Sequence, residues 1–225
     1  MSKIVLITGA SKGIGLALAN KMLKKDLVVI GTSRNGEFNE IIAHKNFYSL
    51  KLDLSEQSSI DNALVTILKK FKHIDMLINN AGIGPDLDTN YPEKISFEKT
   101  FQVNVTGTVF FTESLIEIIN FKGCIINISS EMGAISNCNR VDSVAYRMSK
   151  SALNMYTKIL ANRYKDTLRI ASIHPGWVKT TIAVDNSING NLTPEQSAAN
   201  ICDFIDSDFK SGVYWNTETN SALLW

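Results

Sequence analysis

The sequence predicts a doubly wound α/β fold: a mostly parallel, seven-stranded sheet with helices on both faces, formed as one domain over residues 1–225. Three observations carry this. Short Val/Ile/Leu runs lack clean polar alternation, as in strands buried on both faces. They alternate with longer stretches of helical spacing, the pattern of repeated right-handed βαβ units. The first of these runs leads directly into a glycine-rich turn and then a helix.

In chain order, strands are expected at Lys3–Thr8, Leu27–Thr32, Phe47–Leu52, Met76–Asn79, Cys124–Ser129, Ile170–His174 and Gly212–Trp215. Helices are expected at Gly13–Lys25, Ser58–Phe71, Ser96–Asn120 and Ser143–Tyr164, with a weaker pattern over Glu37–His44. A late helix over Pro194–Ile205 has Thr193 as N-cap and Pro194 at its first position,.

Composition narrows the function classes. Of 225 residues, 44% are hydrophobic and 20% charged, which excludes a disordered chain, a collagen-like fibre or a disulfide scaffold,. The 23 basic residues balance 22 acidic ones, and the pairs Lys24-Lys25 and Lys69-Lys70 form no basic stripe, so no nucleic-acid partner is expected,. Cys124, Cys138 and Cys202 are widely spaced and read as reduced thiols,. No run approaches ~18 apolar residues, and Ile4–Ile7 is too short for a signal segment. A cytoplasmic location without membrane or metal is the expectation.

Thr8-Gly9-Ala10-Ser11-Lys12-Gly13-Ile14-Gly15 joins the first strand to the first helix. Glycines there let the backbone approach a diphosphate, and the free N–H groups of the helix stabilise its charge. The spacing GxxxGxG is neither the common dinucleotide fingerprint nor a P-loop, and an ordinary tight βα turn is the bland alternative. Nineteen positions beyond Gly15 stands Arg34, with no Asp or Glu between Val28 and Gly36. An arginine there suits a ribose 2′-phosphate, with Lys12 as a second positive charge. Alternatively, Arg34 is a solvated strand-end charge and Glu37 reaches a 2′-hydroxyl. Tyr146 and Lys150, four residues apart, share a helix face,. An ammonium beside a phenol favours the phenolate, bringing the tyrosine pKa down toward the range of acid–base catalysis.

This glycine turn, Asn79-Asn80-Ala81-Gly82 after the fourth strand, and Tyr146-Arg-Met-Ser-Lys150 resemble, in order, the motifs of the short-chain dehydrogenase/reductase family. The stretch Tyr146–Met155, His174-Pro-Gly-Trp177 and the terminal aromatic strand resemble its small carbonyl-reductase subgroup, which includes bacterial C-factor proteins. The resemblance implies a Rossmann-like fold and hydride transfer between NADP(H) and a small carbonyl or alcohol substrate. Tyr146 is then the proton donor, Lys150 its partner, and Ser130 orients the substrate, with Ser129 the competing assignment. Asn104 would sit at a helix kink and hold a relay water; an asparagine bonded to its own helix backbone is the alternative. The Ser130–Tyr146 gap is longer than is common in the family, which leaves the geometry of Ala134–Asp142 open.

The implied cofactor contacts are Gly9, Ser11, Lys12, Gly13, Ile14 and Gly15 at the diphosphate, and Asn80, Ala81 and Gly82 at the adenosine ribose. Asp53 and Leu54 meet the adenine edge, although Asp53 equally suits a turn or N-cap. Pro175, Gly176, Val178 and Thr180 meet the nicotinamide, and Tyr146 and Lys150 complete the set. His174 is a packing residue. Thr181–Leu192 is expected as a mobile flap and Asp86–Tyr91 as a second wall. Trp177, Met132 and Ile182 favour an apolar or aromatic carbonyl compound. Family members commonly pair through the two long helices, which implies a homodimer or homotetramer, although small monomeric members exist as well. A dinucleotide-sensing protein without turnover is the other reading; an intact Ser130, Tyr146 and Lys150 set argues against it.

Overall fold

Successive residues of the central strands point into different layers, which is why their sequences read as continuous apolar runs. In β1 (Ile4–Ile7), Val5 and Ile7 pack in one core and Leu6 in the other. Ile126 and Ile125 of β5 (Ile119–Ile128), like Ile173 and Ile170 of β6 (Arg169–His174), divide the same way. The computed structural model describes residues 2–38 and 44–225.

The remaining strands are β2 (Val28–Ser33), β3 (Phe47–Lys51), β4 (Ile74–Asn79), β7 (Val213–Asn216) and β8 (Ser221–Ala222). They form one sheet in the order β3-β2-β1-β4-β5-β6-β7-β8, parallel except for the antiparallel pair β7–β8. Among the described residues the sheet thus has eight strands where seven are expected from sequence. The two-residue β8 lacks an apolar run; it folds back on β7 through Trp215–Ala222 and Asn216–Ser221, shortening an otherwise open edge,.

One face carries α1 (Gly13–Leu23) and α7 (Pro194–Asp206), the latter opened by the Thr193–Gln196 capping box with Pro194 in the first turn,. The other face carries α2 (Gln57–Lys70), α4 (Thr108–Glu113) and α5 (Val144–Arg163). A polar ladder fixes two of these helices over the sheet. Neighbouring Asn79 and Asn127 bond each other at 2.8 Å, and reach Thr112 of α4 at 2.9 Å and Thr157 of α5 at 2.8 Å. Buried amides find partners only in that register, so the ladder sets where α5 lies.

The long helix expected over Ser96–Asn120 is broken. It consists of α3 (Lys94–Phe101), a π-helical stretch over Gln102–Gly107, α4, and a short 3₁₀ turn, after which β5 begins at Ile119. The Thr108 hydroxyl donates to the carbonyl of Val103, five residues back, at 3.0 Å, spanning the widened turn. Asn120, expected to end the helix, instead bonds Asp75 of β4 at 2.7 Å as part of the strand. For the pattern over Glu37–His44, residues 39–43 lie outside the described residues, and Glu37, Phe38 and His44 are not helical.

Candidate active site

The glycine turn is braced from two neighbouring strands. The Thr32 carbonyl accepts from Ala10 N at 2.7 Å, and the Thr32 hydroxyl from Gly9 N at 3.3 Å. The Asn80 side chain donates to the carbonyls of Thr8 and Gly9 at 2.9 and 3.0 Å, while the Thr8 hydroxyl accepts from the Asn80 and Ala81 amides, both at 3.0 Å. Gly9 has a φ of +67°, and a Cβ on Gly15 would lie 2.2 Å from the Gly9 carbonyl oxygen. Only glycine fits that approach. The first turn of α1 has no side-chain cap and no acidic residue, which leaves its amides directed at the mouth of the turn,. Such a turn has the geometry of an anion cradle.

The outer ends of this cleft differ from one another. Thr180 Cγ2 lies within van der Waals reach of Gly13, and Lys12 Nζ bonds the Thr181 hydroxyl at 3.0 Å, so the segment after β6 closes over the turn. Arg34 is exposed just beyond β2 and lines a groove with Lys51 and Asp53. Glu37 is tied to Asn35 at 2.8 Å. Asp53 spends one oxygen on the Ser55 amide (2.9 Å) and hydroxyl (2.6 Å), the turn role that its sequence context equally suited. Leu54 is buried.

Next to the cleft, α5 presents Tyr146, Ser149, Lys150, Leu153, Asn154 and Thr157 on its buried face at helical spacing,. Gly133 brings the chain after β5 onto this face. A Cβ there would sit 2.9 Å from that of Lys150, and the Gly133 carbonyl accepts from Ser151 and Asn154. Ser130 thereby faces the Tyr146 phenol, and its side chain favours the ionised form. The neighbouring Ser129 hydroxyl turns instead toward the Lys150 carbonyl at 3.5 Å. The geometry separates the two serines that pattern alone could not. Beneath them the Tyr214 hydroxyl donates to the Ser130 carbonyl.

Lys150 Nζ donates to the Ile128 carbonyl at 2.9 Å and lies 5.5 Å from the centre of the Tyr146 ring. Gly82 sits against both Lys150 Nζ and Asn104 Oδ1. Asn104 lies in the π-helical stretch, where Oδ1 accepts from Ile83 N at 2.9 Å and Nδ2 donates to the Ile83 carbonyl at 2.8 Å and Ser149 Oγ at 3.1 Å. Both amide hydrogens are committed, so any contact of Asn104 with a relay water is made by an oxygen. The side chain's visible work is to bond the segment after β4 to α5.

The electrostatics run against the sequence expectation. Burial pushes the Tyr146 phenol up to about 12 and the Lys150 ammonium down to about 8,. At neutral pH the phenol therefore holds its proton and the lysine keeps its charge, the states a proton donor and its partner need. His174 is buried, with Nε2 3.9 Å from Glu131 and Nδ1 unbonded, and burial lowers its pKa.

With this arrangement in view, the comparisons with known proteins are direct. The sequence pattern of the short chain dehydrogenase family matches residues 3–190. The chain belongs to that family. The 3-oxoacyl-(acyl-carrier-protein) reductase of Aquifex aeolicus is 30% identical over 232 residues, spanning 94% of this chain and 92% of the relative. The NADP-dependent 3-hydroxy acid dehydrogenase of Schizosaccharomyces pombe is 34% identical over 197 residues, spanning 81% and 74%. The solved structure of the carbonyl reductase Sniffer of D. melanogaster matches with a TM-score of 0.87 at 27% identity, covering 100% of both chains. Among the described residues of this short-chain dehydrogenase, no cluster of three or more His, Cys, Asp or Glu could hold a metal, and no helix is long and apolar enough to cross a membrane.

Two features of the site escape sequence reading. Glu218 accepts from Trp177 N at 3.0 Å and Asn191 Nδ2 at 3.2 Å, joining the turn after β6 to the far end of the segment expected as a flap. Asp86, placed on the second wall by sequence, accepts from the amides of Ala145 and Tyr146. All four bonds join residues more than 25 positions apart, and no local signal marks them. Within the flap, α6 (Val184–Asn189) buries no side chain, whereas Val178 and Leu192 form a bridge at its base. Hydrogen exchange is expected to be fast at residues 184–189 in the free protein and slower with dinucleotide, with the Leu192 amide protected in both states. Equal protection of 184–189 in both states would refute a closing flap.

Proposed function

We propose that this short-chain dehydrogenase is an NADP(H)-dependent reductase of small carbonyl compounds, acting through Ser130, Tyr146 and Lys150. The observation that carries the reading is their meeting at the carboxyl edge of the sheet beside an anion cradle that glycine alone can form. Gly9, Gly13 and Gly15 would hold the diphosphate, with the segment Pro175, Gly176, Val178 and Thr180 alongside the nicotinamide. Bound dinucleotide supplies the hydride. Ser130 receives the substrate carbonyl oxygen and stabilises charge developing on it. Tyr146 gives that oxygen its proton. Lys150, cationic below about pH 8, stabilises the phenolate left behind and is itself held by the Ile128 carbonyl,.

Preference for NADP(H) is read from Arg34, whose paired donors suit a 2′-phosphate, and from Glu37 being engaged with Asn35,. The relative from Schizosaccharomyces pombe, named as NADP-dependent, supports the same choice. The test has two parts. Initial rates of NADPH and NADH oxidation are measured against aldehydes, ketones and quinones, and oxidation with none of them would refute the reductase. Dissociation constants are then compared with those of Arg34→Ala. A charge-assisted hydrogen bond contributes ~1.5–3 kcal/mol, so the variant is expected to lose about tenfold or more in NADPH affinity and little in NADH affinity. Wild-type protein that holds NADH as tightly as NADPH would refute the preference.

A further inference from the structure

We propose that Asp86 is a positioning residue for Tyr146: from the loop after β4, its carboxylate holds the first turn of α5 where that helix has no cap of its own, and sets a negative charge beside the reacting phenol. This rests on the reading of Tyr146 as proton donor.

The residue that precedes α5 is unable to cap it. Ser143 has φ 58° and ψ 44°, in the left-handed region, and makes no capping bond to the helix,. Its hydroxyl instead accepts from Asp88 N at 3.1 Å, and its amide donates to the Thr89 carbonyl at 2.9 Å. Asp86 fills the vacancy from outside. Oδ2 accepts from Ala145 N at 2.7 Å, and Oδ1 and Oδ2 accept from Tyr146 N at 3.2 and 3.3 Å. The two turns are thus interlocked, each satisfying the other's donors.

The side chain is only 2% exposed. A carboxylate that deep needs donors, and the amides of α5 supply them at the positive end of the helix dipole. Arg140 and Arg147, just before α5 and in its first turn, both pair with Asp142. The same loop also holds the ring, because a Cβ on Gly84 would lie 3.0 Å from Tyr146 Cδ2. A span of three residues therefore restrains Tyr146 by its backbone and its phenol together.

The groups that face Tyr146 come from four elements. Asp86 comes from this loop, Lys150 from α5, the Ser130 hydroxyl from the turn after β5, and the buried Tyr214 phenol from β7. Asp86 supplies the negative charge among them and so helps the phenol keep its proton.

Asp86→Asn removes the charge while keeping shape and one acceptor, and Asp86→Ala removes both. An ultraviolet titration of phenolate, with Tyr146→Phe subtracted, follows Tyr146 alone and needs no turnover. In Asp86→Asn, Tyr146 is expected to ionise at lower pH. In Asp86→Ala, kcat is expected to fall about tenfold or more while KM for the dinucleotide stays within about twofold. An unmoved Tyr146 titration in folded Asp86→Asn overturns the proposal, as does an Asp86→Ala variant that loses dinucleotide affinity with kcat intact. If Asp86→Ala fails to fold, the Asn titration decides. If no carbonyl compound is reduced, the donor reading fails, while the titration still reports on Asp86.

Discussion

Tyr146→Phe is expected to lower kcat for carbonyl reduction by about two to four orders of magnitude, the range in which a positioned proton donor contributes. The ring remains buried between Gly84 and Lys150, so NADPH affinity is expected to stay within about twofold. Stopped-flow reduction of any accepted carbonyl compound, alongside a fluorescence titration of the dinucleotide, separates the two quantities. The direction of the pKa shifts sharpens the test. With the phenol pushed to about 12 and the lysine down to about 8, donor and partner are both protonated up to about pH 7, so a reduction rate insensitive to pH from about 6 to 7 accords with them. A Phe variant that retains more than about a tenth of the wild-type kcat, with chemistry rate-limiting, removes Tyr146 from the mechanism.

Gly15→Ala is expected to destroy dinucleotide binding with a smaller loss of stability. The added methyl would lie 2.2 Å from the Gly9 carbonyl oxygen and 2.6 Å from Asn80 Nδ2, the first a backbone atom and the second held by its bonds to the Thr8 and Gly9 carbonyls. Relieving the overlap moves the Gly9 carbonyl or breaks the Asn80 brace, and either displaces the amides aimed at the diphosphate. Overpacking of this kind costs ~1–3 kcal/mol of folding stability. The affinity loss is expected to reach about a hundredfold, since several cradle donors move together. Calorimetric titration with NADPH and a thermal unfolding curve measure the two effects. Wild-type affinity in the variant would mean that the turn does not hold the diphosphate.

Much of this was legible in the sequence because it is local. The glycine turn, the βα alternation, the Thr193 cap and the four-residue Tyr146–Lys150 spacing each depend on neighbours along the chain. The eighth strand was not, since Ser221 and Ala222 carry no β signal and pair only because β7 offers them an edge,. The break at Gln102–Gly107 hides inside a helical pattern, for a π turn alters periodicity by a single residue; the family resemblance alone pointed to a kink at Asn104, which lies in it,. Pattern could not choose between Ser129 and Ser130, whose hydroxyls point to different partners, the Tyr146 phenol for Ser130 and the Lys150 carbonyl for Ser129. The pKa directions were beyond reach because they follow from burial, which residue spacing does not report. Arg34 and the substrate walls stand at the outer ends of the cleft, where contacts with the dinucleotide and substrate decide their roles.

The brace from Asn80 makes the anion cradle a long-range structure. Its bonds to Thr8 and Gly9 join residues 72 and 71 positions apart, so the first βαβ unit alone does not complete it. The cradle closes only when β4 docks beside β1. Affinity for the dinucleotide is therefore coupled to the integrity of the central sheet. By mass action, ligand stabilises the docked arrangement of β1 and β4 as a unit, and any change that loosens β4 reads out first as weakened binding, before the chain unfolds.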